Sequence, residues 1–185
     1  MKKNLSKLIL LLIIIITSAV YNKFFANSFD DEYANTPSDL YKVVKVVDGD
    51  TIKVNIKGQI ETVRLIGLDT PEIVDPRKTV QCFALEASNK AKEMLSDKNV
   101  KLETDSTQGE LDKYGRLLRY VFLEDGTLYN KFMIAEGYAH EYTYQSNPYK
   151  YQAEFIAAEV SARENQKGLW SATTCNGDTV QSAKK

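Results

Sequence analysis

From Tyr41 to Ile66 the chain offers three segments rich in β-branched residues, separated by turns so short that each segment must run back along the previous one. Tyr41 to Val47 ends at Asp48-Gly49, Thr51 to Ile56 ends at Lys57-Gly58, and Gln59 to Ile66 completes the set. Asp-Gly is a turn signal because it tolerates the positive φ angles that tight hairpins use. The spacing therefore predicts a three-stranded meander.

Further along, Ala84, Ala87, Ala91, Met94 and Leu95 fall at helical spacing within Ala84 to Leu95. Val100 to Thr104 and Arg116 to Leu123 read as two more strands, the second preceded by a Tyr114-Gly115 turn. Leu128 to Glu136 predicts a short helix ended by Gly137. Tyr151 to Gln166 predicts a longer one, with Tyr151, Phe155, Ala158 and Ala162 on one stripe and Gly168 as the stop. Five strands with a helix between the third and fourth point to an α+β, mainly β chain, a five-stranded OB-fold barrel with about three helices. Such barrels often bind oligonucleotides, but a fold alone does not establish a function.

The first 28 residues stand apart from this pattern. Lys2, Lys3 and Lys7 precede an apolar run, Leu8 to Ile16, extended by Thr17, Ser18, Ala19 and Val20. A basic start followed by about 13 apolar residues is the secretory signal pattern, whereas a membrane span needs about 20. Ala26-Asn27-Ser28 supplies small residues for cleavage, while Tyr21, Phe24 and Phe25 would suit an uncleaved tether. Residues 1–28 thus read as a signal peptide or an N-terminal membrane anchor. The protein is expected to be exported, secreted after cleavage or held on the outer face of the membrane by residues 8–25. Residues 29–39 read as a linker, 40–172 as the domain and 173–185 as a flexible tail.

Charge removes one class of function. The whole chain carries a net charge of −1, and without the four lysines of residues 1–28 there remain 20 basic against 25 acidic residues, a net of −5. A protein that coats nucleic acid through its overall field would be strongly basic. Any contact with nucleic acid must come from a local site.

The inventory of reactive side chains removes others. His140 is the single histidine, so a His-rich zinc site or a Ser-His-Asp triad is not expected, and His140 itself reads as a packing or surface residue. No glycine-rich phosphate cradle is present. Cys82 and Cys175 fit no zinc spacing; in an exported protein they suggest one disulfide, with two free thiols as the alternative. The chemistry left is that of acids, arginines, tyrosines or a metal.

Three segments carry such groups. Asp48-Gly49-Asp50-Thr51 is a hairpin turn that also puts Asp50 at a strand edge as a candidate metal ligand. In Arg64-Leu65-Ile66-Gly67-Leu68-Asp69-Thr70-Pro71-Glu72, Asp69 and Glu72 have the spacing of a capping box. Arg64, however, sits inside an apolar strand, where a lone guanidinium is costly. It needs an anion: Glu72, Asp69 or a substrate phosphate. Asp112-Lys113-Tyr114-Gly115-Arg116 reads as a solvated turn entering a strand. Taken together, Asp50, Asp69, Glu72, Arg64 and Arg116 supply what phosphodiester cleavage requires. Oxygen ligands suit a hard cation, a carboxylate can activate water, and planar guanidinium groups match phosphoryl oxygens.

These three motifs, with Glu86-Ala87 in the first helix and Gly168-Leu169-Trp170 at the end, closely resemble the staphylococcal nuclease family from about Leu40 to Trp170. The resemblance implies a calcium-dependent (Ca2+) phosphodiesterase that cuts DNA and RNA to products with 3′-phosphate ends. It implies calcium ligands at Asp50, Asp69 and the Thr70 backbone carbonyl, with Glu72 as general base. Arg64 and Arg116 would stabilise the transition state, Arg116 also at the leaving 5′-oxygen. Lys113 and Tyr114 would contact the terminal phosphate, and Tyr142, or else Tyr144, would stack on a base. The loop after Glu72 keeps Arg77 and Lys78, and Lys78 is a further candidate substrate contact. Cys82 lies close to that loop, which a disulfide would restrict. The expected substrates are single-stranded or frayed DNA and RNA; no protein partner is implied, and the chain is expected to be a monomer.

Overall fold

The short turns resolve into a closed barrel. The structure, a computed structural model, describes residues 40–73 and 80–180. Strands β1 (Leu40–Val46), β2 (Thr51–Ile56) and β3 (Gln59–Leu65) form the antiparallel meander. A two-residue strand, β4 (Leu68–Asp69), follows, and then helix α1 (Ala84–Leu95). Strand β5 (Asn99–Glu103) pairs with β1, and β6 (Leu117–Leu123) pairs with β5. β6 also runs parallel to β3, so the order β1-β2-β3-β6-β5 closes on itself. Helix α2 (Tyr129–Ala135), strand β7 (His140–Glu141) and helix α3 (Gln152–Glu164) complete the domain.

The five expected strands and three expected helices are all present, which establishes the α+β, OB-type barrel. Two pairings lay beyond the hairpin logic. One is the parallel closure of β3 on β6, which sets Arg64 opposite Leu118. The other is the antiparallel ribbon of β4 and β7, which sets Asp69 opposite His140. Both join segments far apart in sequence, and both bring a motif residue to a neighbour that local pattern does not reveal.

The core follows strand alternation. Val43 faces Val54 and Ile52 faces Val63 across the meander, and all four are buried. Each such side chain contributes about 1.5–3 kcal/mol by leaving water. Ala87, Ala91 and Leu95 of α1 and Phe155 of α3 cover the barrel. Helix α2 does more than cover. Buried Tyr129 donates its hydroxyl to the Gly49 carbonyl (2.9 Å), and buried Asn130 accepts from Val121 N (2.9 Å) while donating to the Ile66 carbonyl (2.9 Å). Leaving such a buried group unpaired would cost about 1–3 kcal/mol. The helix thereby fixes the Asp48–Asp50 turn and the end of β3 in one frame.

Two local expectations change. Asp69 lies in the extended ribbon and Glu72 in non-helical chain, so the capping box does not form; pairing of β4 with β7 takes the backbone instead. Gly49 is not among the positive-φ residues. Its lack of a side chain serves close approach, since a Cβ there would meet the Thr70 Cγ2 atom at 2.5 Å.

The tail expected from residue 173 is tied down as far as Thr179. Cys82 and Cys175 form a disulfide with a Cα–Cα separation of 5.8 Å, and Cys82 N–H donates to the Thr179 carbonyl (3.1 Å). Among the described residues no helix is long and apolar enough to cross a membrane. The signal or anchor reading of residues 1–28, the linker at 29–39 and the candidate contact Lys78 lie outside the described residues.

Candidate active site

Asp50 enters the site from the turn before β2 and is buried. Its Oδ1 accepts from Thr51 Oγ1 (2.9 Å), and its Oδ2 accepts from Thr70 N (3.1 Å) and Thr70 Oγ1 (3.2 Å). The same Oδ2 lies 3.2 Å from Arg64 Nη2. Thr70 is thereby locked to Asp50 through its N–H and hydroxyl, and the contact of Gly49 with the Thr70 methyl explains how the two segments come so near.

Arg64 finds the anion that its strand position demanded, and finds two. Nη2 reaches Asp69 Oδ1 (2.9 Å) besides Asp50, while Nη1 donates to the carbonyls of Leu65 (3.1 Å) and Leu68 (2.9 Å). The guanidinium is largely buried, and planar donors held by four acceptors have little freedom left. It stands as the local counter-ion between the two carboxylates.

Even so, the acids are undercompensated. Burial pushes the Asp48 carboxyl up to about 7, with further upward pressure from the charges of Asp50 and Glu72. Asp69 is 56% exposed, yet its carboxyl is raised too, first by the protein crowded around it and then by Asp50, against the opposing pull of Arg64. Crowded carboxylates raise one another in this way, and a divalent cation relieves the repulsion. Among the described residues no three His, Cys, Asp or Glu side chains form a preformed metal cage. The donor chemistry nonetheless fits a hard cation, being all oxygen and carrying surplus negative charge.

The second guanidinium lines the same cleft as Arg64. Arg116 Nε donates to Asp112 Oδ2 (2.6 Å), and Asp112 Oδ1 accepts from the N–H groups of Tyr114 (2.9 Å) and Arg116 (2.9 Å). Burial alone would raise the Asp112 carboxyl, but these donors outweigh it and hold the group low. Tyr114 projects into solvent, 71% exposed, with Lys113 Nζ 5.0 Å and the Arg116 guanidinium 5.4 Å from its ring centre.

The cleft has a volume of about 520 Å³, and Arg64, Asp69, Lys113, Tyr114, Arg116, Tyr142 and Tyr144 all line it. Tyr142 and Tyr144 are both exposed, with ring centres 6.4 Å apart, so either can present a face to the cleft. Asp50, Thr70 and Glu72 do not line the cleft themselves; Asp50 reaches it through its ion pair with Arg64, which does. Glu72 is half-buried, and its charge is felt by Asp48 and Asp69. Its backbone N–H donates to Gln81 Oε1 (2.6 Å).

Several contributors are not evident from the sequence motifs alone. Asp48 and Asp112 lie inside those motifs, and the signals were available: two aspartates two residues apart at a turn, and an acid four residues before Arg116. Tyr129 and Asn130 carry a weaker signal, as polar atoms in the apolar part of a short helix. Gln81 carries none. His140 packs edge-on against Trp170, with ring centres 4.8 Å apart, and lies 3.6 Å from Glu159.

A small barrel with arginines and acids gathered at one cleft defines an OB-type domain with a site suited to a phosphate ester. Comparison with known proteins gives the family. The family model described as "Staphylococcal nuclease homologue" matches residues 62–172. The chain is 37% identical over 172 residues to the thermonuclease of Staphylococcus hyicus, covering 92% of this chain and 99% of that protein. It is 39% identical over 142 residues to the thermonuclease of Staphylococcus intermedius, covering 77% and 82% of the two chains. It is also 39% identical over 128 residues to the SPbeta prophage-derived endonuclease YokF of Bacillus subtilis, covering 69% of this chain and 42% of that one. The chain belongs to the staphylococcal nuclease family.

Proposed function

We propose that this protein is a nuclease, and more specifically a calcium-dependent phosphodiesterase that hydrolyses DNA and RNA, internally and from ends, to products with 3′-phosphate ends. Family membership and relatives named as thermonucleases and endonuclease support the hydrolysis of nucleic acid. One observation carries the finer reading: Arg64, paired with Asp50 and Asp69, shares the wall of one cleft with Arg116.

Calcium, held by Asp50, Asp69 and the Thr70 carbonyl, would polarise a phosphoryl oxygen. The rest of the chemistry belongs to the chain. Glu72 takes a proton from the attacking water as its oxygen bonds to phosphorus and the bond to the 5′-oxygen breaks. Arg64 and Arg116 donate to the phosphoryl oxygens as negative charge gathers there, and Arg116 also donates to the departing 5′-oxygen. Donors fixed before the reaction need no reorganisation during it, so such stabilisation supplies more of the rate enhancement than any other effect in many enzymes. Lys113 and Tyr114 hold the terminal phosphate, and Tyr142 or Tyr144 stacks on a base. Lys78 adds a substrate contact.

The proposed substrate contacts are local, and the chain beyond residue 28 carries a net charge of −5. The favoured substrate is single-stranded or frayed nucleic acid that can enter the cleft, acted on by a monomer. Export, by a cleaved signal or an anchor at residues 8–25, would put the enzyme where calcium is plentiful. End-group analysis tests the reaction course. Digestion of end-labelled single-stranded DNA and RNA with calcium is expected to leave 3′-phosphates, and 3′-hydroxyl ends would refute the assignment of the 5′-oxygen as leaving group.

A further inference from the structure

We propose that Gln81 is a positioning residue for Glu72, and that the Cys82–Cys175 disulfide anchors Gln81 through its neighbour. The proposal rests on the reading of Glu72 as general base. Glu72 and Gln81 are nine residues apart and hold each other reciprocally: Glu72 N–H donates to Gln81 Oε1 (2.6 Å), and Gln81 N–H donates to the Glu72 carbonyl (3.1 Å). Glu72 itself belongs to no helix or strand. Its backbone therefore lacks the strand ladder that fixes Arg64 and the bond from Leu65 N–H that holds the Asp50 carbonyl (2.9 Å), and the pairing with Gln81 holds it instead.

Gln81 is in turn tied on two sides. Its carbonyl accepts from Ala84 N–H (3.2 Å) at the start of α1, and the next residue, Cys82, is bonded to Cys175 across a separation of 93 residues. Cys175 is buried, and Gly177 N–H donates to the carbonyl of Leu169, itself fully buried. Leu169 N–H donates to the Gly137 carbonyl (2.8 Å). A continuous path thus leads from the domain's interior, through the C-terminal segment and the disulfide, to the backbone of the base.

A general base works only within hydrogen-bond reach of the proton that it removes. A displacement of about 1 Å can cost as much as about a hundredfold in rate. Lys113, Tyr114 and Tyr142, three of the four proposed substrate contacts, sit on other segments, and among the described residues no hydrogen bond joins them to this path. Lys78 falls in sequence between Glu72 and Gln81. Loosening the path should therefore lower kcat much more than it changes KM, since most of the substrate contacts lie elsewhere.

The test uses the full-length chain, single-stranded DNA and saturating calcium, with rates expressed per folded protein as judged by circular dichroism. Gln81→Met keeps the stem and removes the acceptor; kcat is expected to fall about tenfold or more, with KM changed by less than about twofold. Gln81→Glu keeps an acceptor and should recover most of kcat, which a purely packing role would not predict. Reduction of the disulfide in the wild type should lower kcat in the same way, and should add little in Gln81→Met, because one link is already cut. Wild-type kcat in both Gln81→Met and the reduced protein, beside an inactive Glu72→Gln, would overturn the positioning role and leave the base intact. Wild-type activity in Glu72→Gln would overturn the base assignment, and this proposal with it. If Gln81→Met does not fold, the reduced wild type decides: a fall in kcat supports the path, and an unchanged kcat ends it.

Discussion

The two arginines of the cleft are held in different ways. Arg64 grows from a barrel strand and is gripped by two carboxylates and two carbonyls, its side chain 14% exposed. Arg116 lies just outside a strand, at the end of a turn, tied to the one carboxylate of Asp112 and 29% exposed. Removal of Arg64 takes away the guanidinium that pairs with both Asp50 and Asp69, beside the already raised Asp48. Removal of Arg116 leaves Asp112 still satisfied by two backbone N–H groups, from Tyr114 and from residue 116 itself. The first arginine is part of the fold as well as of the proposed chemistry; the second contributes chiefly to that proposed chemistry.

Activity should not distinguish them, while stability should. Arg64→Ala and Arg116→Ala are each expected to lower the rate on single-stranded DNA by about a hundredfold to a thousandfold, the usual cost of one preorganised donor. Thermal unfolding without calcium should separate them, with Arg64→Ala destabilised by about 3 kcal/mol or more and Arg116→Ala by about 1 kcal/mol or less. Equal losses of stability would break the comparison.

The carboxylates sharpen it. Calcium is expected to raise the melting temperature of the wild type, and Asp50→Asn should abolish that rise. Asp112→Asn should keep that rise and lower activity about tenfold, the worth of one charge-assisted hydrogen bond. Calcium titrations followed by thermal melts read both.

Two glycines extend the comparison to the backbone. Gly49→Ala would drive a methyl group into Thr70, so a loss of about 1–3 kcal/mol is expected, with weaker calcium binding because Thr70 holds Asp50. Gly115 has open space around it but a φ of +78°, so Gly115→Ala should cost about 1 kcal/mol through backbone strain alone. Denaturant unfolding separates the two if calcium affinity falls only in the first.

The smallest effect concerns pH. In the folded chain Asp48 holds its proton up to about 7, against an ordinary value of 3.8. Its contribution to stability is therefore fully present below 3.8 and lost as pH rises through about 7. In chelator-treated protein, Asp48→Asn should flatten this fall in melting temperature, and an unchanged slope would show that Asp48 is not its source.

What the sequence made legible follows from how local each signal is. The meander was readable because β-branched runs and short turns act over a few positions, and helix α1 because its alanines repeat on one face. Arg64 announced itself by its cost, as a charge in an apolar strand. The parallel closure of β3 on β6 and the pairing of Asp69 with His140 were not readable, because each joins residues more than fifty positions apart. Gly49 was legible as a turn residue but for the wrong reason, since its Thr70 neighbour appears only in three dimensions. The reciprocal grip of Gln81 on Glu72 left no trace in composition or spacing.

Acids and arginines, with calcium, are proposed to do all the chemistry of this cleft. The most direct measurement is the rate of single-stranded DNA hydrolysis by the full-length wild type and by Glu72→Gln, with calcium, after chelation, and after calcium is restored. Wild-type activity is expected to vanish on chelation and to return with calcium, while Glu72→Gln stays orders of magnitude slower throughout. Activity indifferent to the chelator, or a Glu72→Gln protein as fast as the wild type, would contradict that chemistry.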